Sequence, residues 1–248
     1  MAKKLSAEQY LVKFEDHREL QNLAARYVVG FLFKKEEELY EKYWSKREDV
    51  CLGFNDGWYV GPDALQGYYN ALVEKTKLVA KLVKQKFPEK LGDKTDEELY
   101  GTGTFGMKPI DTGVIAVAED RQTAKGIWFI RGNHSELTTR GPVAYWNWGW
   151  LAVDFIMEHD EWKLWHVLEV DDILIPAGMK WAAGPQEPPY EELPEFAAMA
   201  DSKLPEYTVK QINREYYTAD RPATPSPPIP EPYDTFVETF SYGIQERS

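Results

Sequence analysis

The chain has 248 residues, 43% hydrophobic and 28% charged, with a formal net charge of −12. That length suits one large domain, or a domain with an extension, and is enough to bury a core. The acidic balance argues against nucleic acid, whose phosphates need basic patches, and against an anionic membrane surface.

Taken in order, Ser6-Ala7-Glu8-Gln9 reads as a capping box that opens a helix. Leu20, Leu23, Ala24, Tyr27, Val28 and Phe31 then recur at helical spacing, interrupted on the polar side by Asn22 and Arg26. A second amphipathic helix carries Leu39, Tyr40, Tyr43 and Trp44. Val50 to Phe54 reads as a strand that continues through Trp58-Tyr59-Val60 past the turn signal Asn55-Asp56-Gly57. Gly61-Pro62-Asp63 starts a long helix whose stripe is Leu65, Tyr68, Tyr69, Leu72, Val79 and Val83, and Pro88 ends it. Thr95-Asp96-Glu97-Glu98 is a capping box for a single turn.

Strands follow at 110–118, 126–131, 143–158 and 162–175, with hairpin turns at 119–122 and 159–160. Helices segregated from antiparallel strands make the fold α+β, and two such long strands must twist and bend. From Pro176 the texture changes, since twelve of the sixteen prolines lie between Pro176 and Pro232. Residues 1–175 therefore read as the domain and 176–248 as an arm, with a short helix around 192–200. The arm is rich in Tyr and Phe, unlike a disordered tail, which predicts packing on the domain or on a neighbouring subunit.

Gly101-Thr102-Gly103-Thr104-Phe105-Gly106 matches the literal dinucleotide pattern. It lacks the strand before and the helix after that phosphate binding needs, so it reads as a loop at a pocket mouth. Cys51 is the only cysteine, and the four histidines have no ligand spacing, which predicts neither a zinc site nor a disulfide. The charged N-terminus resembles no signal peptide, and no run of about 18 apolar residues occurs. A cytoplasmic location is the simplest expectation.

Aromatic residues make up 14% of the chain, nine of them Trp. In Tyr145-Trp146-Asn147-Trp148-Gly149-Trp150, alternation puts the three Trp on one face with Asp154. The same rule puts Trp162, Leu164, His166 and Leu168 together. His166 is the candidate acid–base group, and His134 sits in a loop where functional residues often occur. Asp154 reads as a base or as half of a structural ion pair. Lys108 and Arg131 lie at strand ends, placed to hold a phenolate or carboxylate.

The chain resembles the SnoaL-like branch of the nuclear transport factor 2-like superfamily. The resemblance is carried by Glu19 to Leu23 with Arg26-Tyr27, by Tyr59-Val60-Gly61, and by 113–118 followed by 123–128. Ala144 to Gly149, Val153-Asp154-Phe155 and Trp162 to His166 complete it, over roughly residues 15–175. It implies a cone, in which a bent sheet wrapped by helices encloses a deep pocket. It implies cofactor-free acid–base chemistry on hydrophobic cyclic molecules, as in ketosteroid isomerase, polyketide cyclases and scytalone dehydratase, and one related group is similar to diarylpropane lyases. The expected function is a cofactor-independent lyase or isomerase acting on a small aromatic, phenolic substrate, in a homo-oligomer (dimer or trimer). On that reading His166 moves the proton, with Asp154 beside it, and Tyr27 or Tyr59 donates to the charged oxygen. Asn22, Arg131, Lys108 and His134 bind and orient the substrate, while Trp58, Trp128, Trp146 and Trp148 line a slot. A non-catalytic aromatic-ligand-binding protein and a scaffold subunit are the alternatives.

Overall fold

The structure, a computed structural model, describes residues 6–138, 141–180, 204–222 and 226–244. Helix α1 (Ala7–Leu32) opens on the expected capping box: the Gln9 amide donates to Ser6 Oγ at 3.2 Å and the Ser6 amide to Gln9 Oε1 at 2.9 Å. A short α2 (Glu36–Tyr43) follows, then a hairpin of β1 (Cys51–Phe54) and β2 (Gly57–Val60). The expected single strand over 50–60 is thus two, because Asn55-Asp56 reverses the chain. Gly61 takes a φ of 87°, a left-handed value open to glycine, and Pro62 then begins α3 (Pro62–Lys86). A single turn, α4 (Pro88–Leu91), ends this helical section.

The glycine-rich segment, expected as a loop, is a turn over 101–103 that runs into a strand at the cavity. Thr104–Met107 forms strand β3, paired antiparallel with β5 (Thr123–Thr138), and β4 (Ile110–Val117) pairs with the earlier part of β5. β6 (Gly141–Glu158) and β7 (Glu161–Pro176) are the long strands. They form one curled, unclosed, mixed eight-stranded sheet in the order β3-β5-β6-β7-β1-β2-β8, with β4 beside β5 and a short β8 (Val209–Lys210) from the arm. Among the described strand pairs β1 and β7 alone run parallel, and Trp44 adds a parallel bridge to Leu164. The architecture is an α+β cone. The short helix expected over 192–200 lies outside the described residues. No helix among those described is long and apolar enough to cross a membrane.

Two bulges in β7 decide what faces where. Asp154 pairs with His166 but Phe155 pairs with Leu164, so Trp165 is extra; Trp148 pairs with Ile173 but Gly149 with Asp171, so Asp172 is extra. Each extra residue reverses the alternation along the strand and bends the sheet. Trp162 and Leu164 therefore join the core under the helices, with Leu151, Val153, Phe155 and Trp128. Leu168 packs on the other face, with Ile127, Ala152 and Tyr242 of the arm. The expectation that Trp162, Leu164, His166 and Leu168 share a face fails at the Trp165 bulge.

The described arm runs along that outer face. Tyr59 donates its hydroxyl to the Pro205 carbonyl at 2.8 Å, and Trp58 Nε1 donates to Asn213 Oδ1 at 2.8 Å. The Glu119 amide donates to the Tyr233 carbonyl at 3.1 Å.

Candidate active site

The helices close over the concave side of the sheet and leave a cavity of about 330 Å³ between α1, α3 and strands β3, β5 and β7. Its walls include Phe31, Phe54, Tyr68, Leu72, Val79 and Ile130. These come from the apolar stripes of α1 and α3, from the end of β1 and from an inward position of β5, so the pattern that builds the core also lines the space.

Against these walls stands a polar group assembled from four elements. Lys108, on the link between β3 and β4, donates to Glu169 Oε1 at 2.6 Å. Tyr27, on α1, donates its hydroxyl to Glu169 Oε2 at 3.1 Å. Glu169 reaches inward because it lies two residues past Val167 on the core side of β7. His134 on β5 lines the same cavity and stacks on Tyr145, with centroids 5.0 Å apart and planes 14° from parallel.

The electrostatics follow from burial and from neighbours. Burial opposes the Lys108 charge, but the carboxylates of Glu169 and Asp171 outweigh it and hold the ammonium above its ordinary value. Burial, then the Lys108 charge, pushes His134 down to about 4, so its imidazole is neutral near pH 7. Its Nδ1 is buried with no hydrogen-bond partner among the described residues. Burial and then Glu169 drive the Tyr27 hydroxyl well above its ordinary value, so it acts as a donor and not as a phenolate. Asp171 sits behind Lys108, and burial pushes its carboxyl up to about 7. Asn147 donates to that carboxyl, and Asn55 Oδ1 accepts from the Asp171 amide at 2.8 Å.

Lys108 carries three donors and spends one on Glu169, so the others can meet a ligand oxygen. An ionised Glu169 keeps acceptor capacity, and neutral His134 offers a lone pair. The arrangement can hold a small molecule, stabilise a developing oxyanion and accept a proton. Among the described residues, no three His, Cys, Asp or Glu side chains gather as a metal site would require.

The structure brings together three of the residues singled out from sequence: Tyr27, Lys108 and His134. The others lie elsewhere. Tyr59 packs on Tyr68 with centroids 4.9 Å apart, and its hydroxyl is turned to the arm. Asn22 lines a shallow surface groove with Arg26. Arg131 is exposed and reaches Asp111 at 3.4 Å. Trp128 is buried against α1, donating to Gln21 Oε1 at 3.0 Å. Trp58 lies under the arm, Trp146 is 39% exposed, and Trp148 lines a different cavity, between sheet and arm. Among the described residues, no tryptophan lines the concave cavity.

Asp154 and His166 form a separate buried cluster on the outer face. Asp154 is 0% exposed and accepts from Lys125 Nζ at 2.6 Å, Ser241 Oγ at 2.8 Å and the Tyr242 amide at 2.8 Å. The His166 Nδ1 lies 2.9 Å from its Oδ2. The Lys125 ammonium is ringed by arm aromatics, with Phe236 and Phe240 centroids at 4.5 and 4.7 Å. This geometry is that of an ion cluster under a strap. Glu169 and Asp171 are the site residues that sequence reading missed. The available signal was a pair of carboxylates two residues apart in an apolar strand.

No family model matches this chain, and no curated protein matches it. Solved structures do. The hexachlorocyclohexane dehydrochlorinase LinA-type3 of Novosphingobium barchaimii is 13% identical, over 72% of this chain and 99% of that one, with a TM-score of 0.47. An NTF2-like protein with a cystatin-like fold from Novosphingobium aromaticivorans is 14% identical, over 69% and 91%, with a TM-score of 0.44. The Kfla4162 protein of Kribbella flavida is 16% identical, over 68% and 95%, with a TM-score of 0.46. These are likenesses in fold. The assignment of this chain to the α+β cones stands on its strand order and register.

Proposed function

We propose that this protein is a cofactor-independent lyase that moves one proton on a small, aromatic, hydroxylated substrate held in the concave cavity. The observation that carries the reading is that neutral His134 and the Lys108–Glu169–Tyr27 group share one apolar-walled space. A cavity of about 330 Å³ suits a molecule of one or two rings, at the small end of ligand pockets.

In an elimination, His134 accepts the proton from carbon, the C–H electron pair forms the new double bond, and the carbon–oxygen bond breaks. Lys108 donates a hydrogen bond to the departing oxygen, where charge develops and a preorganised donor counts most. The protonated His134 is acidic, since its environment disfavours the cation, and returns the same proton to that oxygen as water forms. Glu169 holds Lys108 and Tyr27 in place. Loss of formaldehyde from a hydroxymethyl group beside a carbinol uses the same parts. His134 takes the hydroxymethyl proton, the C–C bond breaks as the C=O forms, and the released pair makes the new double bond. The carbinol oxygen leaves toward Lys108 and takes that proton as water.

Binding without turnover is supported by one observation: the ionic groups of the cavity already satisfy one another, as Lys108 does Glu169. Incubating the protein with neutral phenols and benzylic alcohols, without cofactor, separates the two. Mass spectrometry should show products that have lost water or formaldehyde, absent with His134→Phe. A ligand bound in the cavity and recovered unchanged would sink the enzymatic reading.

A further inference from the structure

We propose that the cavity selects an uncharged substrate over the corresponding carboxylate, and that Glu36 is the residue that sets this choice. The proposal depends on the functional reading above only for where the ligand sits.

The charged side chains lining the cavity are Lys34, Lys75, Lys108, Glu36, Glu136 and Glu169, so the lining is balanced. None of these cations is unopposed. Lys75 meets Glu136 at 3.0 Å and Lys108 meets Glu169 at 2.6 Å. Lys34 is subject to the carboxylates of Glu36 and Glu136, and its burial already disfavours its charge. A carboxylate ligand would lose its hydration and meet only cations whose charge a neighbouring carboxylate already offsets, in a space where charges interact more strongly than in water. The net −12 of the chain adds a general repulsion outside.

Glu36 supplies the positive half of the selection. It is 3% exposed, and its Oε2 has no hydrogen-bond partner among the described residues. Burial pushes its carboxyl above the ordinary value even though its own backbone amide, the Lys34 charge and the Tyr100 hydroxyl act the other way. The terminal torsion of Glu is soft, so a small turn presents that oxygen to an incoming hydroxyl. A neutral hydroxyl supplies the missing donor, and a carboxylate group brought up to Glu36 cannot and repels it.

The test is calorimetry on the full chain with 4-propylphenol and 3-(4-hydroxyphenyl)propanoate, at about pH 8, where carboxyls are ionised and the phenol is not. The neutral probe should bind at least about tenfold more tightly. Glu36→Gln should narrow that ratio by about tenfold, by removing one negative charge, and Lys34→Met should widen it. Equal or tighter binding of the carboxylate overturns the proposal, as does a ratio that neither variant moves, or binding of neither probe. Binding with the expected preference but no turnover of any phenol would refute the enzymatic reading and leave this selection standing.

Discussion

Replacing Asp154 with Asn should unfold the protein more readily without touching the concave cavity. The native carboxylate takes four contacts at 2.6–2.9 Å, from Lys125, His166, Ser241 and the Tyr242 amide. Burial alone would raise its pKa, but the His166 hydrogen bond and the Lys125 charge outweigh that and hold the carboxyl below the ordinary range. Asn keeps one acceptor oxygen and turns an NH2 toward groups that themselves donate. Lys125, 0% exposed, is left without a counter-charge. Breaking a buried pair from one side costs about 3–5 kcal/mol, and the lower end applies here because Phe236 and Phe240 still face the ammonium. Urea unfolding followed by tryptophan fluorescence, extrapolated linearly to water, should therefore show a loss of about 3 kcal/mol. Adding Lys125→Met should recover part of it, since the pair is then removed together. The sign with pH follows from the depressed pKa: this contribution is present above the unfolded carboxyl value and fades as pH falls through the folded one. A loss below about 1 kcal/mol, or a variant that stays as stable as the parent but loses turnover, would refute the reasoning.

Three further outcomes follow. Glu169→Gln should lower kcat/KM by about a hundredfold or more, because Lys108 and Tyr27 lose the acceptor that holds them, and steady-state kinetics on any substrate found checks this. Asp171 binds its proton more tightly folded, at about 7, than unfolded, so its contribution is full below the unfolded value and lost as pH rises through 7; urea melts of Asp171→Asn should be flatter between about pH 4 and 7 and gain on the order of 2 kcal/mol at about pH 8. Cys51 is fully buried and burial pushes its thiol up to about 12, so a thiol reagent should label it only after denaturant unfolds the chain.

Periodic features were the legible ones. Ser6 and Gln9 announce α1, Gly61-Pro62 announces α3, and the long β-branched and aromatic runs announce β6 and β7. A resemblance over about residues 15–175 supplied the cone. The site was legible only in part, and the failures have one physical source. Alternation is a reliable guide along a regular strand, but a bulge shifts it by one residue and leaves little trace in the sequence. Trp165 is such a residue, and it carries His166 from the expected cavity to the outer face beside Asp154. Further along, Glu169 and Asp171 stay inward, where carboxylates in an apolar strand were the visible sign. Gly149 marks the other bulge: a side chain there would meet the Val170 carbonyl oxygen, so the strands approach too closely for any residue but glycine. The tryptophans misled because both faces of the sheet are covered, one by helices and one by the arm, and large aromatic surface is needed on each.

The proposed function puts the chemistry in the concave cavity and not in the strapped cluster. Once a substrate is in hand, kcat/KM should be compared for the parent, His134→Phe and His166→Ala, each held at a temperature and urea concentration where it is fully folded. His134→Phe keeps the stacking on Tyr145 and removes the nitrogen, and should lose about a hundredfold or more. His166→Ala should stay within about threefold of the parent in rate while unfolding at lower urea. A reversed pattern, with His166→Ala inactive in the folded state and His134→Phe unaffected, would contradict the account.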